Sequence, residues 1–195
     1  MSRRKIYIAA VILLLLLMIP HKGRIPSGSH PAGSMTPEQE GESISQYDDI
    51  IKSVADSVGL DWRFVAAVIY HESRFHNQAN SHKGAVGLMQ VLSPRYSQEY
   101  LLDPESNLRV GCRYLKRLQE MYADVAASPI ESLKFALAAY NYGETKVWRL
   151  INQTRDAGED PGRWDVVATH LPKGHHTVAY VNKVLDTYTY YYNRY

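Results

Sequence analysis

From Ser43 to the C-terminus, apolar side chains return every three or four residues, and nowhere do they alternate over a strand-length run flanked by hairpin turns. That period commits the body of the chain to helices and predicts an all-α fold. Ser43-x-x-Gln46 has the pattern of a capping box opening a helix with Tyr47, Ile50, Ile51, Val54 and Val58 on one face, and Gly59 ends it. Asp61 is placed to cap a helix running from Trp62 to Phe75. A polar stretch with Gly84 and Gly87 leads into a short segment at Leu88–Leu92, broken before Pro94. Asn107–Val125 is the next helix. Ser128-Pro129-Ile130-Glu131 combines a capping box with proline at the first helical position and starts a helix reaching Tyr142. A helix carrying Val147, Leu150 and Ile151 follows, then one or two turns at Trp164–His170, then a last helix over roughly His176–Tyr192.

The N-terminus reads differently. Basic residues at Arg3, Arg4 and Lys5 precede an unbroken apolar run, Ile6–Ile19. That is the layout of an export signal. The run is shorter than the roughly 20 residues of a typical spanning helix, yet no well-placed cleavage site follows it. A cleaved signal and an uncleaved inner-membrane anchor therefore both stand. Either puts the body on the outer, periplasmic side, because the basic residues stay inside. The organisation expected is a signal or anchor at 1–20, a Pro/Gly/Ser-rich linker at 21–42, and a catalytic domain at 43–195.

Charge is uneven along the chain. Residues 1–34 hold five basic residues and no acid, so the remainder, with 17 basic and 20 acidic residues, is slightly acidic. This body has no electrostatic footprint for nucleic acid. The single cysteine, Cys112, excludes an intrachain disulfide framework and a cysteine-based zinc site. His71-Glu72 opens like a zinc motif, but the next histidine, His76, is five residues on, which turns the two rings apart around a helix. No metal and no cofactor are expected.

Candidate chemistry starts at Glu72, which ends the nearly continuous apolar stretch Val65–Tyr70. On the buried side of that helix it would be desolvated and its pKa raised, as a general acid at neutral pH requires. On the opposite side it would be an ordinary solvated carboxylate, and the helix pattern alone favours that reading. Ser73 stands beside it, able to orient it. Gly84-Ala85-Val86-Gly87-Leu88-Met89-Gln90 suits close approach of backbone to a ligand or, as simply, a tight turn. Ala139-Tyr140-Asn141-Tyr142-Gly143 offers a phenol and an amide at a helix end.

The order and spacing of these segments say more than any one of them. Glu72-Ser73-x-Phe75, Gly84-Ala85-x-Gly87-Leu88-Met89-Gln90, Asp103-Pro104-Glu105-x-Asn107, Ala139-Tyr140-Asn141-x-Gly143 and Tyr180-Val181 together resemble the catalytic domain of family 1 lytic transglycosylases, related in fold to goose-type lysozyme. Arg163–Tyr180 is most similar to the membrane-bound transglycosylase F subgroup. The resemblance implies a lysozyme-like helical domain with a glycan-binding groove. It also implies cleavage of the β-1,4 bond between N-acetylmuramic acid and N-acetylglucosamine in peptidoglycan, with a 1,6-anhydromuramoyl product. Glu72 matches the family's catalytic glutamate, acid and then base. Ser73 matches its neighbour, Met89 and Gln90 match groove residues that contact sugar, Tyr140 matches the tyrosine that bonds the carboxyl, with Asn141 beside it, and Tyr180 matches the tyrosine of the last helix. Departures are Glu144-Thr145 where the family often has Pro-Gly, and His176 where it often has an acid. The alternatives are a muramidase that uses water, which needs a second carboxylate, and a non-catalytic wall-binding module of an envelope complex, for which an intact Glu72 would be superfluous.

Overall fold

The computed structural model describes residues 43–195, and the leader and linker expected at 1–42 lie outside them. The described residues form eight α-helices and one 3-10 turn: α1 Asp48–Val58, α2 Trp62–Ser73, α3 Gln98–Leu102, α4 Pro104–Met121, α5 Pro129–Tyr142, α6 Glu144–Asp156, α7 Trp164–Val167 with the 3-10 turn Ala168–His170, and α8 Thr177–Arg194. In place of strands, the described residues hold isolated bridges at Asn80–Val86 and Val86–Val91. The all-α class follows the apolar period.

Two helices make the centre. Phe64 through Ile69 of α2 are all buried, as are Phe135 through Ala139 of α5, so both are apolar on every side. The long helix α8 packs most extensively on α2 and also covers α5, while α1 and α4 close the opposite flank. Alanine at 66, 67, 136, 138 and 139 keeps the central helices slim enough for this close approach.

Local chemistry sets the helix ends, and it corrects the sequence reading in several places. The box at Ser43-x-x-Gln46 does not form. Asp48 reaches back instead, its carboxylate accepting from Ile44 N at 2.8 Å and Ser45 N at 2.9 Å, and the helix starts at Asp48 with Tyr47 in the N-cap position. Asp61 caps α2 through Arg63 N at 2.8 Å, as expected. That helix stops at Ser73 and not Phe75, because Arg74 and Phe75 turn into the left-handed region. Helix α4 begins at Pro104, capped by Asp103 on Ser106 N at 2.9 Å, three residues before the expected start. Half of the box at Ser128 forms: Ser128 accepts from Glu131 N, but Glu131 turns away to Lys134 and to Trp164 N. The short segment at Leu88–Leu92 opens as a turn, across which Val86 and Val91 exchange backbone hydrogen bonds.

Candidate active site

Glu72 occupies the last turn of α2, mostly buried, where that helix meets α8. Burial pushes its carboxyl up to about 7, and a hydrogen bond from Tyr180 pulls the other way. The phenol of Tyr180 lies 2.5 Å from Glu72 Oε1 and donates to it. Burial is the larger effect, since one hydrogen bond returns only part of the solvation that water would give a carboxylate. The carboxyl is therefore about half protonated at neutrality. Burial and Tyr180 account for the shift, and no second carboxylate is among the groups acting on it.

The chain beyond Glu72 is wound tightly. Arg74, Phe75 and Gln90, with φ of 54°, 61° and 47°, are the non-glycine residues of positive φ in the described chain, and all three lie in the segments that frame the carboxyl. Such conformations cost on the order of 1–3 kcal/mol each and persist where the surroundings fix them. Ser73 does not orient Glu72 directly. Its hydroxyl is buried and back-bonds to Ile69 O at 3.4 Å.

The second wall is the turn Gly84–Val91. Its position depends on Asn107, a fully buried amide on α4. Asn107 Nδ2 donates to Val86 O and Leu101 O, both at 2.8 Å, and Oδ1 accepts from Met89 N at 2.8 Å. Gly87 (φ 77°) sits against this amide. A Cβ there would overlap Asn107 and come within 2.6 Å of Leu101 O. The sequence reading quoted Asn107 within a motif and gave it no role. The available signal was an uncharged amide on the apolar face of an otherwise regular helix.

Met89 lies in the core and not in the groove. Its side chain is fully buried over Gly111, where a Cβ would meet its sulfur at 2.5 Å, and its sulfur is 3.7 Å from Cys112 Sγ. Burial pushes that thiol up to about 12. Met89 reaches the site through its backbone carbonyl, which accepts from Tyr140 at 2.7 Å. Tyr140 thus bonds the wall and not Glu72, and Tyr180 takes the place the sequence reading gave to Tyr140. Both phenols are held well above their usual range by burial first and the nearby Glu72 charge second, so both stay donors. Gln90 turns its amide inward, Nε2 donating to Gly87 O at 3.0 Å and Ala79 O at 3.2 Å. Asn141 Oδ1 accepts from Thr177 at 2.9 Å, joining α5 to the start of α8.

The histidines go elsewhere. His71 Nε2 lies 2.8 Å from Thr187 Oγ1 and His76 Nδ1 3.0 Å from Ser73 O, so the two rings serve different partners.

An all-helical domain with one desolvated carboxyl, a phenol on it and a turn stapled opposite can present a general acid near neutral pH. Residues 49–161 match the family model described as the transglycosylase SLT domain, and the chain belongs to that family. It is similar to the membrane-bound lytic murein transglycosylase F of Desulfosudis oleivorans, 33% identical over 166 residues, covering 74% of this chain and 36% of that protein. It is also similar to the protein of the same name from Vibrio cholerae, 38% identical over 120 residues, or 60% of this chain and 22% of that one. Among solved structures, an inactive glutamate-to-glutamine mutant of lytic transglycosylase Slt from Pseudomonas aeruginosa superposes with a TM-score of 0.60 at 25% identity, covering 76% of this chain and 24% of that one. The 70 kDa soluble lytic transglycosylase of Escherichia coli gives 0.59 at 26% identity, with 75% and 24% covered. The chain therefore spans about a third or less of the relatives it matches. Tyr180 lies beyond the matched residues 49–161.

Proposed function

We propose that the chain is a peptidoglycan lytic transglycosylase. It cleaves the β-1,4 bond between N-acetylmuramic acid and N-acetylglucosamine and leaves a 1,6-anhydromuramoyl end. The observation that carries this reading is the single, mostly buried carboxyl of Glu72, raised to about 7 and with no second carboxylate acting on it. Hydrolysis by the usual two-carboxylate routes needs a partner acid for water or for a covalent intermediate. Closure of an internal ring needs none.

The steps balance on one residue. Protonated Glu72 gives its proton to the glycosidic oxygen, the bond to the anomeric carbon breaks, and the acetamido oxygen of the muramoyl sugar takes up the positive charge. Glu72, now ionised, accepts the proton of the C6 hydroxyl as that oxygen attacks the anomeric carbon. The enzyme ends protonated as it began, and no water is consumed. Tyr180 steadies the ionised form between the two steps, since its bond favours the charged carboxylate. Tyr140 and Gln90 hold the turn that faces the sugar, Met89 presents its backbone there, and Ser73 and Asn141 fix the helix ends on either side.

The site of action proposed is the bacterial cell envelope on the periplasmic side, with residues 1–20 as signal or inner-membrane anchor and 21–42 as tether. Relatives named membrane-bound support this placement. Among the described residues no helix is long and apolar enough to cross a membrane.

The test is digestion of purified sacculi by the full chain, with products read by mass spectrometry. Anhydromuropeptides are expected, and Glu72→Gln should release them about three orders of magnitude more slowly, the middle of the range for a lost general acid. Reducing ends that carry added water would replace this reading with the muramidase, and no release at all with the wall-binding module.

A further inference from the structure

Two polar contacts join the end of α2 to α8, and they come from neighbouring residues. Glu72 accepts from the Tyr180 hydroxyl, and His71 Nε2 lies 2.8 Å from Thr187 Oγ1. Tyr180 and Thr187 stand about two turns apart on α8, roughly 10 Å along its axis, and so share one face of it. Val181 and Val184, between them, are fully buried. His71 is half-buried and braced on its own helix, where it meets the Tyr70 ring edge-on with centroids 5.2 Å apart.

The rest of the α2–α8 contact is mainly apolar, as where Phe64 meets the ring of Tyr188 at 5.5 Å. Apolar contact is non-directional, so it gives little preference to one slide or turn of α8 over its neighbours. Directional contacts must supply that preference, and the margin is small. The Tyr180–Glu72 bond spans 2.5 Å. A slide by one residue is about 1.5 Å, and hydrogen bonds between oxygens end near about 3.0 Å.

His71 does not act on the carboxyl itself, since burial and Tyr180 are the influences on Glu72. Burial first and the Arg74 charge second hold the imidazole below its ordinary pKa of 6.5. The Lys183 charge adds to this, and the Lys183 backbone and Asp186 oppose it. The ring is therefore mostly neutral where Glu72 titrates, at about 7, and its removal takes little charge from the acid's surroundings.

We propose that His71 is a positioning residue: by holding Thr187 it sets the slide and rotation of α8 that bring the Tyr180 hydroxyl onto Glu72. The pair works at the acid of the proposed activity, and only its kinetic consequence rests on that reading.

The test titrates Glu72 directly in the full chain, through the carboxyl-carbon NMR shift of isotope-labelled glutamate, with the resonance assigned from Glu72→Gln. Thr187→Val removes the hydroxyl at nearly constant shape and should raise the Glu72 pKa by about half as much as Tyr180→Phe does, or more. His71→Ala should match it, and His71→Gln, which keeps a donor in reach of Thr187, should stay near wild type. In a Tyr180→Phe background neither Thr187→Val nor His71→Ala should add more than about 0.2 unit, because the contact through which they act is already gone. The alkaline limb of kcat/KM on sacculi should move with these values. Should His71→Ala fail to fold, Thr187→Val carries the measurement. A Glu72 pKa unchanged in folded Thr187→Val, or a rise that persists undiminished without the Tyr180 hydroxyl, overturns the assignment. The titration uses no substrate, so a wild-type chain that releases no anhydro product overturns the proposed activity and leaves this result standing.

Discussion

The hydroxyl of Tyr180 donates to Glu72 Oε1 across 2.5 Å, from a helix 108 residues further along the chain. One side chain of α8 thereby tunes the acid at the end of α2, and the effect has a definite sign. The bond favours the ionised carboxylate and so holds down a pKa that burial raises. Tyr180→Phe should raise the Glu72 pKa above about 7. In the proposed mechanism protonated Glu72 starts the reaction, so the alkaline limb of the kcat/KM profile should move to higher pH, by up to about one unit. Tyr140→Phe should leave that limb in place and cost about 1–2 kcal/mol of stability, since it strips Met89 O of its donor. A pH profile and a urea titration on each variant check both statements, and a limb moved by Tyr140→Phe would reverse the assignment.

Glu72 also makes stability depend on pH. Its folded-state pKa of about 7 stands above the ordinary value of 4.5, so the folded protein holds this proton more tightly than the unfolded chain. Stability from this group is full below the unfolded pKa and falls as pH rises, with the loss complete above about 7. The loss is on the order of 3 kcal/mol. Glu72→Gln does not titrate there. Its melting temperature relative to wild type should climb between pH 5 and pH 8, and calorimetry at the two pH values checks it. A constant difference would mean the carboxyl is solvated in the folded protein.

Asn107 and Gly87 should be the costliest small changes outside the central helices. Asn107→Ala strips Leu101 O and Met89 N of this partner and Val86 O of one of its two donors in a dry environment, a loss of about 3 kcal/mol or more. Gly87→Ala adds strain at positive φ to the overlap with Asn107, and about 2 kcal/mol or more is expected. Denaturant midpoints measure both. If either were within 0.5 kcal/mol of wild type, roughly the spread for surface changes, the stapled turn would be discounted.

The all-α class and the helix order were legible because buried faces repeat with the helical period, and Asp61 and Ser128 announce their helices in plain capping patterns. Glu72 was legible as a residue, but its environment was not. The period places it at a helix end, and only the packing of α8 decides that it is desolvated. The exchange of roles between Tyr140 and Tyr180 has the same origin. Both are tyrosines on helices beside the acid, and which hydroxyl reaches it depends on how α5 and α8 are set, which no local pattern encodes. Met89 differs from the expectation because a sequence motif does not tell a side chain that lines a groove from one that packs in the core and offers only its carbonyl, here to Tyr140. The tight turn at Gly84–Gln90 was legible from its two glycines, but that Leu88 and Met89 point into the core while Leu92 is exposed was not.

Cys112 is the single thiol of the chain, fully buried and packed sulfur to sulfur against Met89. With its pKa near 12 it is almost wholly a neutral thiol at neutral pH, and an alkylating dye reacts with the thiolate. Labelling must then wait until the packing of Met89 over it opens, and Met89 belongs to the turn that Asn107 staples beside Glu72. Rates of dye uptake faster than global unfolding would count excursions of that wall one molecule at a time, so the chain carries its own built-in clock for the opening of its active site.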